Sequence, residues 1–311
     1  MSKLIKSYLN KFYYYRYLAF KKHKRDVLKN PKSEANRVYY PFFKKKINWN
    51  NPKDLIEKTY WLQFNANTNL WTKYTDKYLV RDYIKECGYE SLLPELYGKW
   101  DYVKDINFDE LPVSFILKSN NGCGTVFIVK DKSKMNLKSV KKQLNRWSSI
   151  TYGYRSAQLH YLNIKPCFIA EELLLNNEED NLLSPSSLID YKVYCINGEP
   201  EAIWVAYDRD YYGGVKMTMY DLNWQSFSKN LVSSDYYTFS NKDIPKPPCL
   251  QEMLDVSRKL SEPFSQVRID FYVINNEPVF GEMTFTAGWG FFTNDFYNYL
   301  GSKITLSKLS Q

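Results

Sequence analysis

The stretch QVRIDFYVINNEPVFGEMTF, residues 266–285, constrains the fold more than any other part of this chain. Two runs rich in β-branched and aromatic residues flank Asn275-Asn276-Glu277, the composition of an antiparallel hairpin. Successive side chains of a strand point to opposite faces, so Arg268, Asp270 and Tyr272 share one face and Ile269, Phe271 and Val273 the other. In the second strand Glu282 and Thr284 share a face, opposed by Met283 and Phe285. A three-residue connection over 275–277 sets Asp270 opposite Glu282 and Arg268 opposite Thr284; an even-numbered connection sends Glu282 to the other face. Two carboxylates about 5 Å apart across a ladder repel unless one is protonated or a cation lies between them. Their hard oxygens suit Mg²⁺ bridging phosphate groups. A solvated polar face paired with Arg268 is the alternative.

Composition removes several competing chemistries. With two histidines, His23 and His160, a Ser-His-Asp triad or a His-based metal site has almost nothing to draw on, so catalysis falls to carboxylates, Lys and Arg. Cys87, Cys123, Cys167, Cys195 and Cys249 show no CxxC spacing, which argues against a zinc site and a disulfide framework and fits a reducing cytoplasm. No run approaches eighteen apolar residues, and the N-terminus lacks the pattern of a cleaved signal, so neither secretion nor membrane spanning is expected.

Charge is unevenly placed. The first fifty residues carry 14 Lys/Arg against 2 Asp/Glu, or +12, of a total of +9, which leaves 29 against 32, or −3, for the rest. A near-neutral body speaks against nucleic acid. The basic arm points to an anionic membrane surface, an acidic polymer, or solubility. Residues 1–27 mix Leu, Ile, Tyr and Phe with Lys and Arg as a basic amphipathic helix does, lying on a membrane or packing on the body.

The remainder reads as α+β. INWNNPKDLIEKTYWLQFNANT predicts a short helix entered through Asn-Pro, and YTDKYLVRDYIKECG another, from near Thr75-Asp76 to Gly88. From residue 112 short β-type runs take over: SFILK, TVFIVK, PCFIAEELL, DYKVYCI, EAIWVAY, QVRIDFYVI and PVFGEMTF, with helical patterns near 136–150 and 249–261. Asn197-Gly198 closes one hairpin. The expected organisation is a basic arm at 1–44, a helical region at 45–111, a lobe with a glycine-rich loop at 112–175 and a C-terminal lobe at 176–311.

Three further segments carry candidate chemistry. Lys118 ends a strand before Ser119-Asn120-Asn121-Gly122-Cys123-Gly124, a loop with few side chains to keep backbone N–H groups from phosphate oxygens, although a plain hairpin turn has the same composition. The strand FIA runs into Glu171 and Glu172, which suit ribose hydroxyls or solvent equally. Lys192 and Arg209 lie on two strands of one hairpin, as cations for a polyphosphate or as surface charge. Asp208-Arg209-Asp210 after EAIWVAY offers a DxD metal pattern, which makes a glycosyltransferase using a nucleotide sugar the alternative reading. A third is a glycan-binding protein with its 28 Tyr and 8 Trp as stacking platforms.

Taken in order, TDKYLVRDYI, LPVSFILKSNNGCG, FIAEELL, DYKVYCINGEP, RIDFYVINNEPVFGEMTF and TAGWG resemble the TupA-like ATP-grasp family of bacterial cell-surface polysaccharide loci, over roughly residues 45–300. The resemblance implies an ATP-grasp fold, two α+β lobes sandwiching ATP, and a carboxylate–amine ligase working through an acyl phosphate. It implies that Lys77 and Lys118 touch the nucleotide phosphates, that Gly122 and Gly124 lie in the covering loop, and that Glu171, Glu172 and Leu173 form the adenine and ribose hinge. Lys192, with Arg209, becomes a further phosphate contact; Asp270 and Glu282 become the Mg²⁺ carboxylates, and Arg268 the stabiliser of developing charge. Many relatives carry Asn where this chain has Thr284, whose hydroxyl is a weaker oxygen ligand. The implied substrates are ATP, an acidic sugar or polysaccharide and an amine or amino acid, in an enzyme of the cytoplasm or the inner membrane face.

Overall fold

The computed structural model describes residues 18–210, 214–240 and 242–306. Residues 1–17, most of the expected basic helix, lie outside the described residues; residues 18–29 form helix α1. Four helices follow: α2 (Pro31–Phe43), α3 (Leu55–Asn65), α4 (Asn69–Thr75) and α5 (Val80–Glu86). Helix α3 starts at a cap made by Asp54, whose Oδ1 accepts the Ile56 and Glu57 N–H groups at 3.0 and 2.9 Å, while the Glu57 carboxylate accepts from Lys53 N–H at 2.7 Å. Such reciprocal capping contributes about 1 kcal/mol. Helix α5 begins later than Thr75-Asp76 because the Asp76 carboxylate accepts the Tyr78 and Leu79 N–H groups at 2.8 and 3.2 Å and holds the chain in a turn.

The strands divide between two sheets. Strands β1 (Leu96–Trp100), β2 (Phe115–Ser119), β3 (Val126–Val129) and, after helix α6 (Leu137–Ser148), β4 (Phe168–Glu171) pair antiparallel in the order β1-β4-β2-β3. Strand β1 comes from the segment expected to be helical. After the short helix α7 (Glu178–Leu183) come β5 (Asp190–Ile196), β6 (Glu199–Asp210), β7 (Gly214–Tyr220) and β8 (Tyr237–Phe239). Helix α8 (Leu250–Ser261), β9 (Gln266–Ile274), β10 (Glu277–Thr284) and helix α9 (Asn294–Lys303) complete the order. The second sheet runs β10-β9-β5-β6-β7-β8, antiparallel except between β7 and β8.

Alternation along the central strands gives this sheet two buried faces. Val267, Ile269 and Phe271 pack with Leu250, Met253, Leu254 and Leu260 of α8 and with Tyr83 and Ile84 of α5. On the opposite face Tyr194, Ile196, Trp204 and Met219 meet Tyr39 of α2, Leu55 and Ile56 of α3 and Phe296 and Leu300 of α9. A separate core joins Phe115, Leu117, Phe168 and Ala170 of the smaller sheet to Val140 and Leu144 of α6. Each such side chain contributes about 1.5–3 kcal/mol on burial, so both sheets are anchored from their own helices.

The β9–β10 hairpin reaches its register by a route other than the expected three-residue loop. Asn275 and Asn276 alone form the turn, at φ 52° and 68°, with Ile274 opposite Glu277. Asparagine tolerates this left-handed conformation, which two-residue hairpin turns require. Continued unbroken, that register would set Gly281 opposite Asp270. A bulge between Phe280 and Glu282 absorbs Gly281 and restores Asp270 opposite Glu282 and Arg268 opposite Thr284. A Cβ on Gly281 would lie 2.9 Å from the Asp270 carbonyl oxygen, so the bulge needs glycine.

Candidate active site

Two cross-strand rows build the centre. Lys192 of β5 faces Asp270 of β9, which faces Glu282 of β10; two residues along, Tyr194 faces Arg268, which faces Thr284. Arg268 grips Asp270 with Nε on Oδ1 at 2.6 Å and Nη2 on Oδ2 at 2.7 Å, and Nη2 also reaches Thr284 Oγ1 at 3.2 Å and Glu282 Oε1 at 3.4 Å. The Thr284 hydroxyl donates to Glu282 Oε1 at 3.1 Å. Lys192 Nζ lies 2.5 Å from Asp270 Oδ2 and 2.6 Å from Asp190 Oδ2, and Arg209 Nη2 approaches the same Asp190 oxygen at 3.6 Å.

Lys77 closes the cluster from the helical region. Its Nζ donates to Glu282 Oε2 at 3.1 Å and to the Gly122 carbonyl at 3.2 Å, joining the glycine-rich loop to the large sheet. Asn120 fixes that junction: its carbonyl accepts the Lys77 N–H at 3.1 Å, its side-chain amide donates to Asp76 Oδ2 at 2.7 Å, and its Oδ1 accepts Cys167 N–H at 2.8 Å. Across the loop Ser119 N–H donates to the Thr125 carbonyl at 3.1 Å, and Gly124 takes φ 72°. The ring of Tyr152 lies 3.6 Å from where a Cβ on Gly122 would stand and packs edge-on to Tyr161, centroids 4.7 Å apart.

The electrostatics follow from this crowding. Burial alone would raise the Glu282 carboxyl, but Lys77, Arg268 and Lys192 together hold it well below the usual carboxylate range. Burial likewise works against charge on Lys192, and Asp190 and Asp270 outweigh it, leaving its pKa above the ordinary lysine value. Asp190 moves the other way, raised by burial despite Lys192. Two carboxylates and a hydroxyl in adjacent rows offer hard oxygen atoms of the kind Mg²⁺ takes, and the surrounding cations favour the ionised Glu282 carboxylate.

The sequence-predicted residues fall into two groups. Lys77, Lys192, Arg209, Arg268, Asp270, Glu282 and Thr284 converge on the centre, with the Gly122 carbonyl at its edge. Lys118 and Glu171 form a separate pair on the smaller sheet, where Glu171 is also held by Arg81 Nη1 at 3.0 Å. Glu171 is therefore a buried counter-ion, whereas the Glu172 side chain is exposed while its N–H donates to the Glu95 carbonyl at 3.0 Å, and Leu173 is half-buried. Asp208 of the DxD pattern accepts from Ser186 Oγ at 2.9 Å and pairs with Lys216 at 2.6 Å. Sequence reasoning passed over Asp190, Arg81, Asn120 and Asp76. Asp190-x-Lys192 repeats the spacing of Arg268-x-Asp270 on the neighbouring strand, a signal that parity could have exposed.

A family model described as TupA-like ATPgrasp matches residues 57–305. Among solved structures, the D-alanine–D-alanine ligase of Bacillus anthracis aligns with TM-score 0.47 and 18% identity over 79% of this chain and 70% of that one. The N5-carboxyaminoimidazole synthetase of Staphylococcus aureus complexed with ADP gives 0.44 and 10% over 79% and 54%. The L-amino acid ligase of Bacillus licheniformis gives 0.39 and 12% over 71% and 42%. Among curated proteins, none matches the sequence.

Proposed function

Because the chain belongs to the TupA-like ATP-grasp family, we propose that it is an ATP- and Mg²⁺-dependent carboxylate–amine ligase that joins an amino acid or amine to an acidic sugar of a surface polysaccharide. The observation that carries this reading is the row Lys192–Asp270–Glu282 with Arg268 and Lys77 around it. Asp270, Glu282 and Thr284 would hold Mg²⁺, which when bound offsets phosphate charge and orients the transferred group. Lys77, Lys118, Lys192 and Arg209 supply fixed positive charge for the triphosphate, with Gly122 and Gly124 in the covering loop. Glu171, Glu172 and Leu173 form the strand end assigned to adenine and ribose, with Glu171 behind it as the counter-ion of Lys118 and Arg81.

The reaction balances in two steps. A carboxylate oxygen of the acceptor attacks the γ-phosphorus, the bond to the bridging oxygen breaks, and ADP leaves with that electron pair. The amine nitrogen then attacks the acyl carbon of the mixed anhydride, Arg268 stabilises the oxyanion, and phosphate departs as nitrogen loses a proton.

The charge at the centre supports a binding order with nucleotide and metal arriving together. Asp270 and Glu282 already face three cations, Lys77, Lys192 and Arg268, so a divalent ion arriving alone adds charge to an occupied cluster, whereas the nucleotide brings compensating phosphates. Mg²⁺ alone should leave the thermal midpoint unchanged and Mg-ATP should raise it, the bound nucleotide stabilising the fold by about 2.7 kcal/mol at a hundredfold excess over Kd. Asp270→Asn should abolish the metal-dependent part. ADP release stimulated by a uronic acid plus an amine identifies the reaction; stabilisation by a UDP-sugar and not by Mg-ATP would overturn it.

A further inference from the structure

The ligase chemistry leaves helix α1 unused, and its two sides differ sharply. On the inner side Val27 is buried, Phe20 and His23 meet the Tyr154 ring edge-on at 5.3 and 5.8 Å, and Lys24 Nζ donates to Thr151 Oγ1 at 2.9 Å. On the outer side Leu18, Lys21, Lys22, Arg25, Leu28 and Lys29 recur at i, i+3, i+4, i+7, i+10 and i+11, one continuous face of a helix. All six are exposed, the leucines at 42% and 50%. The acid of this helix, Asp26, lies at the edge of the face beside Arg25 at 3.6 Å.

We propose that this outer face docks on an anionic phospholipid surface. Lys22, Arg25 and Lys29 complement negative headgroups, and the leucines beside them are what distinguishes lipid from an acidic polymer. A polyanion in water gains nothing from Leu18 and Leu28, whereas the boundary between headgroups and acyl chains takes both charge and apolar side chains from one helix face. The preceding sequence keeps the same composition, with Leu4, Ile5, Leu9 and Phe12 among Lys3, Lys6, Lys11 and Arg16. No helix among the described residues is long and apolar enough to cross a bilayer, and the docking face lies along one. The inner face ties the helix to Thr151 and Tyr154, neighbours of the Tyr152 that packs over Gly122, so the surface-bound helix holds one wall of the candidate active site. This inference does not depend on the ligase reading.

The test is co-sedimentation of the full chain with vesicles of phosphatidylcholine containing about one-third phosphatidylglycerol, against phosphatidylcholine alone, at about 0.15 M salt. Wild type should pellet with the anionic vesicles only. The triple variant Lys22→Glu, Arg25→Glu, Lys29→Glu should lose at least about tenfold in partitioning, and Leu18→Ser with Leu28→Ser several-fold, both with unchanged unfolding midpoints because these side chains are exposed. Absence of pelleting, or equal pelleting on neutral vesicles, would overturn the proposal. So would full binding by the leucine variant combined with displacement by a soluble polyuronate, which would assign the face to an acidic glycan.

Discussion

In the six-stranded sheet Lys192, Asp270 and Glu282 stand in one row across three strands, so backbone ladders fix their spacing. In the four-stranded sheet Lys118 reaches Glu171 beside a loop tied to Lys77 through the Asn120 and Gly122 carbonyls, with the Asn120 side chain bridging Asp76 and the Cys167 N–H. The first arrangement tolerates no slip, because a shift of one residue turns every side chain to the opposite face. The second is held by loop and side-chain hydrogen bonds, and its strand β3 sits at the sheet edge with Val126 and Ile128 44% and 56% exposed. Ladder register thus places the carboxylates, whereas hydrogen bonds from loop residues place the glycine-rich loop.

The severest break of this contrast is Asp270→Ala. It strands Arg268 and Lys192, both buried, without their shared carboxylate, and should cost about 3–5 kcal/mol in denaturant unfolding along with all ADP release. On the loop side, Asn120→Ala removes the donor to Asp76 Oδ2 and the acceptor of the Cys167 N–H. A loss of about 2 kcal/mol is expected, with weakened nucleotide binding but an intact large sheet by hydrogen exchange. A smaller pair of changes sharpens the distinction. Gly281→Ala meets the Asp270 carbonyl at 2.9 Å and should cost about 1–3 kcal/mol while disturbing the carboxylate register. Gly124→Ala, at φ 72° in open space, should cost about 1 kcal/mol from backbone strain alone and leave the register unchanged.

The smallest effect comes from His160, which lies in the segment between α6 and β4 and belongs to neither sheet. Burial lowers its pKa from 6.5 to about 3, and neither ring nitrogen has a hydrogen-bond partner among the described residues. The unfolded chain binds the proton first, so the stability this neutral imidazole confers is complete above pH 6.5 and is lost as pH falls toward 3. Between pH 7 and 5.5 the loss should be about 1 kcal/mol, and His160→Phe should flatten that slope in chemical denaturation.

Part of the large sheet was legible from strand parity, which put Arg268 with Asp270 and Glu282 with Thr284; that the two pairs share one face rested on an expected three-residue loop. The turn was not. Two asparagines and a bulge give the same pairing as a three-residue loop, and nothing local distinguishes a bulged Gly281 from an ordinary strand residue. Strand β1 escaped notice because Leu96, Tyr97, Gly98, Lys99 and Trp100 are nearly all half-buried and carry no alternation. Asn120, Asp76 and Arg81 act through partners 44 to 90 residues away, a relation that only the packed chain creates. The glycine loop was found by composition, but its tether was not, since an asparagine in such a stretch reads as one more turn residue.

The Gly281 bulge has a consequence for how chains of this kind diverge. Within β5, β9 and β10 an insertion or deletion must be even, or compensated by another bulge, to keep the carboxylates on their face, whereas the segments at 149–164 and 285–293 carry no such parity. A change in length within those connections leaves the row Lys192–Asp270–Glu282 in place, whereas a single-residue change inside β9 or β10 carries one carboxylate to the opposite face.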